Sequence, residues 1–567
     1  MWGVCRGLWG HWGHCGGRGP GGLWGHWGSV SLCADTAPPP HSAAMLLAGL
    51  AVALALLLWA WHCRPGGTGS WWLILRHWLA LRVLGWAAGW QRWHLEQESQ
   101  DVRQSQERLL LRLLGAARTA EPGTGPGGAR RWARVPAPGP PAPSGQPRGP
   151  VLYLDVLSRV FPEALSPRGT ARFSWARGCS LPAAAWALPT LYCAPEEAGT
   201  VPSHAAALYV QLLFALRERV LRVLEAGLVS ELYDALAVLR ADWEGLAQDL
   251  ASGRLSPHLQ LPEGTRRRLE QLLAPDAVRA AELRAECARG WDGIARRLWP
   301  RLQVVVVAEP SSEQLYGEAL RELECQGLPF YCPFYSAAGA LLGVNLWPEQ
   351  PDSRYLLCPG WAFCEFLPAG PGAEGPPETV LLADVQEGQE YELVLTNQAG
   401  LSRCRVREVV KVAEFHNQCP VVRPVRRLSQ TLSVRGEGVP EERFYRSLCH
   451  AVAMWPGARL VDYVCAESSL LGASSGVCAP HYQVFVELRG LRDLSEAQRY
   501  KLDQCLQEDF PVYKTFRLKG SIGPVRLHLV AAGAFRELRD AAGSPGPMAR
   551  VLREKRLLHF IQSRVIS

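Results

Sequence analysis

From Ala205 onward the spacing of apolar positions divides the chain into elements. Leucine and alanine recur at i, i+3, i+4 and i+7 between Ala205 and Gly253, which predicts a helical layer punctuated at Gly227. The unbroken apolar run Val304–Val307 predicts a buried strand. CQGLPFYCPFYSAAGALLGVNLW, from Cys325, reads as a strand with a turn, YELVLT from Tyr391 as another strand, and the alternation in RCRVREVVKVAEF from Arg403 as a strand pair. Helices first, then strands among helices, predict a mixed α/β body. From about Ser429 a second pattern begins. LCHAVAMW reads as helix, HYQVFVELRG as strand, SEAQRYKLDQCLQEDF as a helix capped by Ser495, and VRLHLVAAGAF as strand, which predicts a small separate α/β domain.

The amino-terminal text is different. Residues 1–44 repeat Trp, Gly and His without helical or strand period, and read as a low-complexity extension upstream of a start at Met45. Met45–Trp61 is an uncharged apolar run of 17 residues, short for a membrane span and equally suited to a signal peptide. Trp71–Trp93 combines tryptophans with Arg76, Arg82 and Arg92, a composition suited to a membrane interface. Gln97–Ala120 is a predicted helix with leucines on one face, and the Pro/Gly-rich stretch after it a linker.

Composition narrows the classes. A chain of 567 residues exceeds the size at which single cores stop growing, so at least two domains are expected. The net charge of +7 arises from 60 Lys+Arg against 53 Asp+Glu, but only five are lysine and the basic residues are scattered among acids, so no nucleic-acid partner is expected. Of the 17 cysteines none forms a CxxC pair or a set at zinc-ligand spacing, and no metal site is expected from them. No GxxxxGK[ST] phosphate loop or HExxH occurs, and no GxGxxG follows a predicted strand.

The segment AGLSRCRVREVVKVAEFHNQCPVV, Ala399–Val422, carries a more specific signal. It resembles the AGLYRYRVGDVLRVTGFHN signature of the Gretchen Hagen 3 acyl-acid amido synthetases, an auxin-responsive promoter family. WDGIARRLWPRLQVVVV, FYSAAGALLGVNLWPEQPDSRYLLCPGWAFCEFLP, HYQVFVEL and the closing RLLHFIQSRVIS continue the likeness in family order, over about residues 95–567. The resemblance implies an α/β, two-lobed adenylate-forming fold with a large N-terminal lobe and a small C-terminal α/β lobe. It also implies a chemistry: a carboxylate attacks the α-phosphate of ATP, magnesium-bound pyrophosphate leaves, and an amino acid displaces AMP to form an amide.

Carried over position by position, the family's site is altered. Arg168–Val201 has no Ser/Thr/Gly run followed by lysine, so the phosphate loop is read as lost. The YASSE motif falls on Tyr335–Gly339; Tyr335 is a candidate to stack on adenine or else a core aromatic, and the acid that would meet magnesium is Gly339. The YRxGD motif falls on Cys404–Glu408, leaving Arg405 and Glu408 as nucleotide-binding candidates, with Glu408 either gripping a ribose or forming a strand-edge ion pair beside Arg407. Arg427 matches the arginine before the interdomain hinge. The catalytic lysine of YKxPR is replaced by Pro547, although Arg550 is kept; Lys514 and Lys519 are the remaining lysine candidates. ATP and magnesium are expected only if the family activity is retained.

These losses predict a catalytically impaired member of the family that acts by binding an acyl acid or a protein partner, at the endoplasmic reticulum and nuclear envelope. An active ligase with an altered site and a membrane-associated adaptor are the alternatives. The expected organisation is 1–44 extension, 45–63 signal peptide or signal anchor, 64–120 Trp-rich and helical lead-in, 121–149 linker, 150–428 large lobe and 429–567 small lobe.

Overall fold

A computed structural model describes residues 71–119, 150–173, 190–201, 203–350, 352–369, 378–396, 403–471, 479–543 and 547–567. The extension 1–44, the run Met45–Trp61, the linker 121–149 and residues 174–189 of the phosphate-loop region lie outside the described residues. The chain divides into two compact units, Met1–Trp72 and Leu73–Ser567. In the first, the described residues are the opening pair of a helix, Trp71–Gln100.

The second unit is mixed α/β and built on three main sheets. The first is parallel, in the order β1 (Thr170–Phe173), β2 (Val223–Leu228), β3 (Val304–Ala308), β4 (Phe330–Tyr331). Strand β3, VVVVA, is nearly all β-branched and almost wholly buried, as a parallel strand with both faces covered requires. Helices His204–Arg217 and Val229–Ser252 pack beside β1 and share its core.

Between those two helices the structure departs from the expected continuous helical layer. VLEAGL forms β2, an interior strand of the first sheet. A strand buried on both faces loses its period-2 signature, so leucine and alanine here imitated a helix face. Arg222, just before this strand, is buried and paired with Glu163 at 2.7 Å.

The second sheet is antiparallel and has eight strands: β5 (Phe334–Ala337), β6 (Ala340–Val344), β7 (Tyr355–Leu357), β8 (Phe363–Pro368), β9 (Val380–Leu381), β10 (Glu390–Thr396), β11 (Cys404–His416) and β12 (Cys419–Arg427). Their spatial order is β5-β6-β7-β12-β11-β10-β8-β9. Strand β12 closes the large lobe. After the short ribbon β13 (Thr431–Leu432) and β14 (Val439–Pro440) comes the small lobe, whose four-stranded sheet runs β17 (Arg526–Leu529), β16 (Tyr482–Arg489), β15 (Arg459–Glu467), β18 (Val551–Leu552).

Local chemistry sets several boundaries. Asp101 breaks the helix expected over Gln97–Ala120 into Trp71–Gln100 and Val102–Thr119, its carboxylate accepting from the Gln104 amide at 3.0 Å. The strand expected over Val525–Phe535 stops at Leu529, and Gly533, at φ +82°, leads into helix Ala534–Ala542. Ser495 caps helix Glu496–Asp509 as expected, in a reciprocal pair with Gln498. Ser495→Ala is expected to lower stability by about 1 kcal/mol, measured by urea denaturation.

Candidate functional site

Three of the residues singled out in the sequence meet. Tyr335 lies on β5, Glu408 on β11 and Arg427 at the end of β12. Strands β5 and β11 are four places apart in the sheet order, about 19 Å in a flat sheet at about 4.8 Å per strand. Yet the Tyr335 hydroxyl donates to Glu408 Oε2 at 2.9 Å, so the sheet curls until its first strand reaches its fifth. Glu408 and Arg427 face each other in the β11–β12 ladder, and Arg427 Nε lies 3.1 Å from Glu408 Oε1.

The local backbone around Glu408 is bent. Between Arg405 and Val409 the β10–β11 register slips, so that four steps on β11 face two on β10. Such a bulge bends the strand and re-aims its side chains. Arg407, at the motif's glycine position, sits at φ +63°, a left-handed conformation costing a non-glycine residue roughly 1–2 kcal/mol. Ala338 and Gly339, at φ +48° and +74°, form the turn between β5 and β6. A Cβ built on Gly339 meets nothing within 4 Å, so the position has room for an acid it does not carry.

Glu408 therefore has both oxygens occupied. The expected alternative of a strand-edge ion pair is realised with Arg427, two strands' worth of sequence away, and not with the adjacent Arg407. Tyr335 is buried, and desolvation followed by the Glu408 carboxylate pushes its phenol well above the ordinary value, so it stays protonated and donates. Arg405 does not join this group: its guanidinium pairs with Glu392 on β10, Nε to Oε1 at 3.1 Å. Lys514 and Lys519 also lie apart, exposed on and just after helix Pro511–Leu518. Pro547, at the position that the resemblance assigns to lysine, is half-buried.

Magnesium and ATP do not fit this set of donors. Gly339 offers no carboxylate to a divalent cation, and each oxygen of Glu408 is already engaged, Oε2 by the Tyr335 hydroxyl and Oε1 by Arg427, so ribose hydroxyls would have to share it. No step through the nucleotide is derived from these residues.

Arg427 also joins the lobes: its backbone N–H donates to Glu442 Oε1 at 3.2 Å, on helix Glu441–Ala453 of the small lobe. A larger junction was not visible in the sequence. Arg550 is fully buried; its Nη1 binds Asp462 and the Tyr463 carbonyl (2.8 Å), while its Nε donates to the Ser312 carbonyl at 2.5 Å in the large lobe. Arg539 of the small lobe clamps Asp234 of the large lobe through both oxygens, at 2.7 and 2.8 Å, and also binds Tyr316. Tyr316 in turn donates to Asp462. Burial opposes the charge on Arg550, but Asp462 overrides it and the pKa is raised. Arg550 thus survives from the family motif as a structural tie.

Glu313 lies beside this junction, fully buried, with one oxygen accepting from the Ser230 amide at 3.2 Å. Desolvation outweighs Arg539 and Arg550 and lifts its pKa to about 7. The unfolded carboxyl titrates near 4.5, so stability is lost as pH rises from about 4.5 to 7, by about 3 kcal/mol at most, and levels off above. Glu313→Gln should flatten that slope and be more stable than the native chain at pH 8, read from denaturation midpoints across pH 4–9.

Comparison with known proteins agrees with this architecture. The GH3 family N-terminal domain matches residues 167–330, the central domain 355–427 and the C-terminal domain 443–552. A "GH3 domain-containing protein" of Mus musculus is 42% identical over 90% of this chain and 97% of its own length. The Oryza sativa subsp. indica "Indole-3-acetic acid-amido synthetase GH3.8" is 33% identical over 66% of this chain and 64% of its own. In fold, the chain is similar to the solved "GH3.15 acyl acid amido synthetase", with a TM-score of 0.63 at 24% identity, covering 74% of this chain and 78% of that one. Full-length similarity, three consecutive domain matches and a shared two-lobed α/β fold place the chain in the GH3 family, whose members include acyl acid amido synthetases.

Proposed function

We propose that this member of the amido synthetase family does not form acyl adenylates and acts instead by binding. The observation that carries the reading is the state of Glu408: both oxygens of the one carboxylate left in the nucleotide motifs are held by Tyr335 and Arg427. Gly339 in place of an acid and Pro547 in place of lysine point the same way. Losing a cation at the site of developing charge alone removes on the order of hundredfold in rate. The partner of such a protein is an acyl acid or another protein, met at the endoplasmic reticulum or nuclear envelope, a location that the apolar run Met45–Trp61 supports.

The test is AMP release. The full chain is incubated with ATP, magnesium, a pool of carboxylic acids and amino acids, and the nucleotides are separated by chromatography. No AMP above the protein-free blank is expected; acid-dependent AMP that disappears in Glu408→Gln would overturn the reading.

A further inference from the structure

Helix Trp71–Gln100 is apolar on both sides, yet among the described residues only one side is packed. His77, Leu81, Leu84, Ala88 and Leu95 face the protein, at spacings of three, four and seven that keep one stripe. His77 sets the rotation of the helix: buried, it donates from Nε2 to the Leu165 carbonyl at 2.6 Å, which leaves Nδ1 to accept from Thr190 Oγ1 at 2.7 Å. The outward stripe is therefore fixed in place. It consists of Leu75, Trp78, Val83, Trp86, Trp90 and Trp93, all exposed, with Trp86 open over 76% of its surface.

A helix that is apolar all round is normally covered all round. From Trp78 to Trp93 the uncovered stripe runs 15 residues, about 22 Å along the axis. That length is too continuous to count as scattered surface residues.

We propose that this face is a docking surface for a lipid bilayer, lying in the headgroup layer of an anionic membrane. Three observations select that partner. Tryptophan, with an apolar body and a polar N–H, suits the boundary between headgroups and acyl chains, and four tryptophans share the stripe. The charge of this stretch has one sign: Arg76 and Arg82 are exposed and no acidic residue occurs from Trp71 through Leu95, while Arg92 is paired with Asp155 at 3.0 Å. Arg82 lies over the face of the Trp78 ring, 5.1 Å from its centre, with its charged head still exposed to meet a phosphate.

The chain leading into the helix supplies the third. Met45–Trp61 has 17 uncharged residues, and nine residues separate it from Trp71. Nine extended residues span at most about 32 Å, so a membrane engaged by the first segment lies within reach of the second. Two apolar elements in series bind far more durably than either alone. The surface is remote in sequence from Tyr335, Glu408 and Arg427 and does not depend on whether the chain adenylates.

The experiment uses the full chain and vesicles of phosphatidylcholine with about 30% phosphatidylserine. A photo-crosslinking amino acid is placed at position 86, and as a control at Tyr500, an aromatic residue that is also exposed, on the small lobe. A lipid adduct several-fold more abundant at 86 than at 500 is the expected result. Equal yields at the two positions, or an adduct at 86 to a second copy of the chain or to another protein, would overturn the proposal. In parallel, the combined variant Trp78→Gln, Trp86→Gln, Trp90→Gln, Trp93→Gln should bind these vesicles about tenfold more weakly, a loss expected for removing an interfacial apolar face. Its fold is checked by circular dichroism, and native-like vesicle affinity in a folded variant would also reject the surface.

Discussion

Asp462→Ala is expected to cost about 3–5 kcal/mol, the largest loss at any single position considered, because it strips a buried cation of its partner. Asp462 is buried at the lobe junction, where it receives Arg550, Arg539, Tyr316 and the Tyr463 amide. Alanine leaves Arg550, fully buried, with the Ser312 and Tyr463 carbonyl oxygens and the Tyr316 and Tyr463 rings around its guanidinium, and no carboxylate on it. Urea denaturation should show a large drop in midpoint, and a lower slope if the lobes then unfold separately. The paired replacement Asp462→Leu with Arg550→Met removes both charges together and should recover most of the loss. A single variant with native stability would mean that the junction carries no net charge interaction.

The second large effect separates structure from chemistry at the motif residues. Glu408→Ala releases the buried Tyr335 hydroxyl and the Arg427 guanidinium at once, for an expected loss of about 2–3 kcal/mol. Tyr335→Phe leaves the ion pair in place and should cost only about 1 kcal/mol. If Glu408 holds the sheet and the hinge together and grips no ribose, both variants should change denaturation midpoints while the affinity for magnesium-ATP, by calorimetry, stays where the native chain has it. A Glu408→Ala variant of native stability but weakened nucleotide binding would reverse the assignment.

How much of this was legible in the residues depended on the range of the interaction. Ser495 and its helix were readable, because a capping pair lies within four residues and its signal is local. Strand β3 was readable, because four consecutive valines have few other uses. Strand β2 was not, since Leu224 and Ala226 fit a helix face as well as an interior strand, and burial on both sides erased the alternation.

The candidate site was legible only through the resemblance. Nothing in the spacing of Tyr335 and Glu408, 73 residues apart, announces a hydrogen bond that depends on the curl of an eight-stranded sheet. Arg405 was misplaced for a related reason: the bulge around Arg407 sends it to Glu392, and a bulge has no signature when arginine stands where glycine would mark it. The lobe junction was hidden altogether. Arg539 and Asp234 are 305 residues apart, and each alone looks like a solvated helix charge. The tryptophan stripe was visible as a composition, but which of its residues face outward follows only from the packing of His77, Leu81 and Ala88 on the other side.

Pyrophosphate exchange decides whether the family fold persists here without adenylate formation. The full chain is mixed with ATP, magnesium, labelled pyrophosphate and a pool of carboxylic acids, and label entering ATP is counted, since exchange reports the first chemical step even where no amine is accepted. No exchange above a protein-free control, in the native chain and in Glu408→Gln alike, is the predicted result; exchange that requires a carboxylic acid and is lost in Glu408→Gln would contradict it.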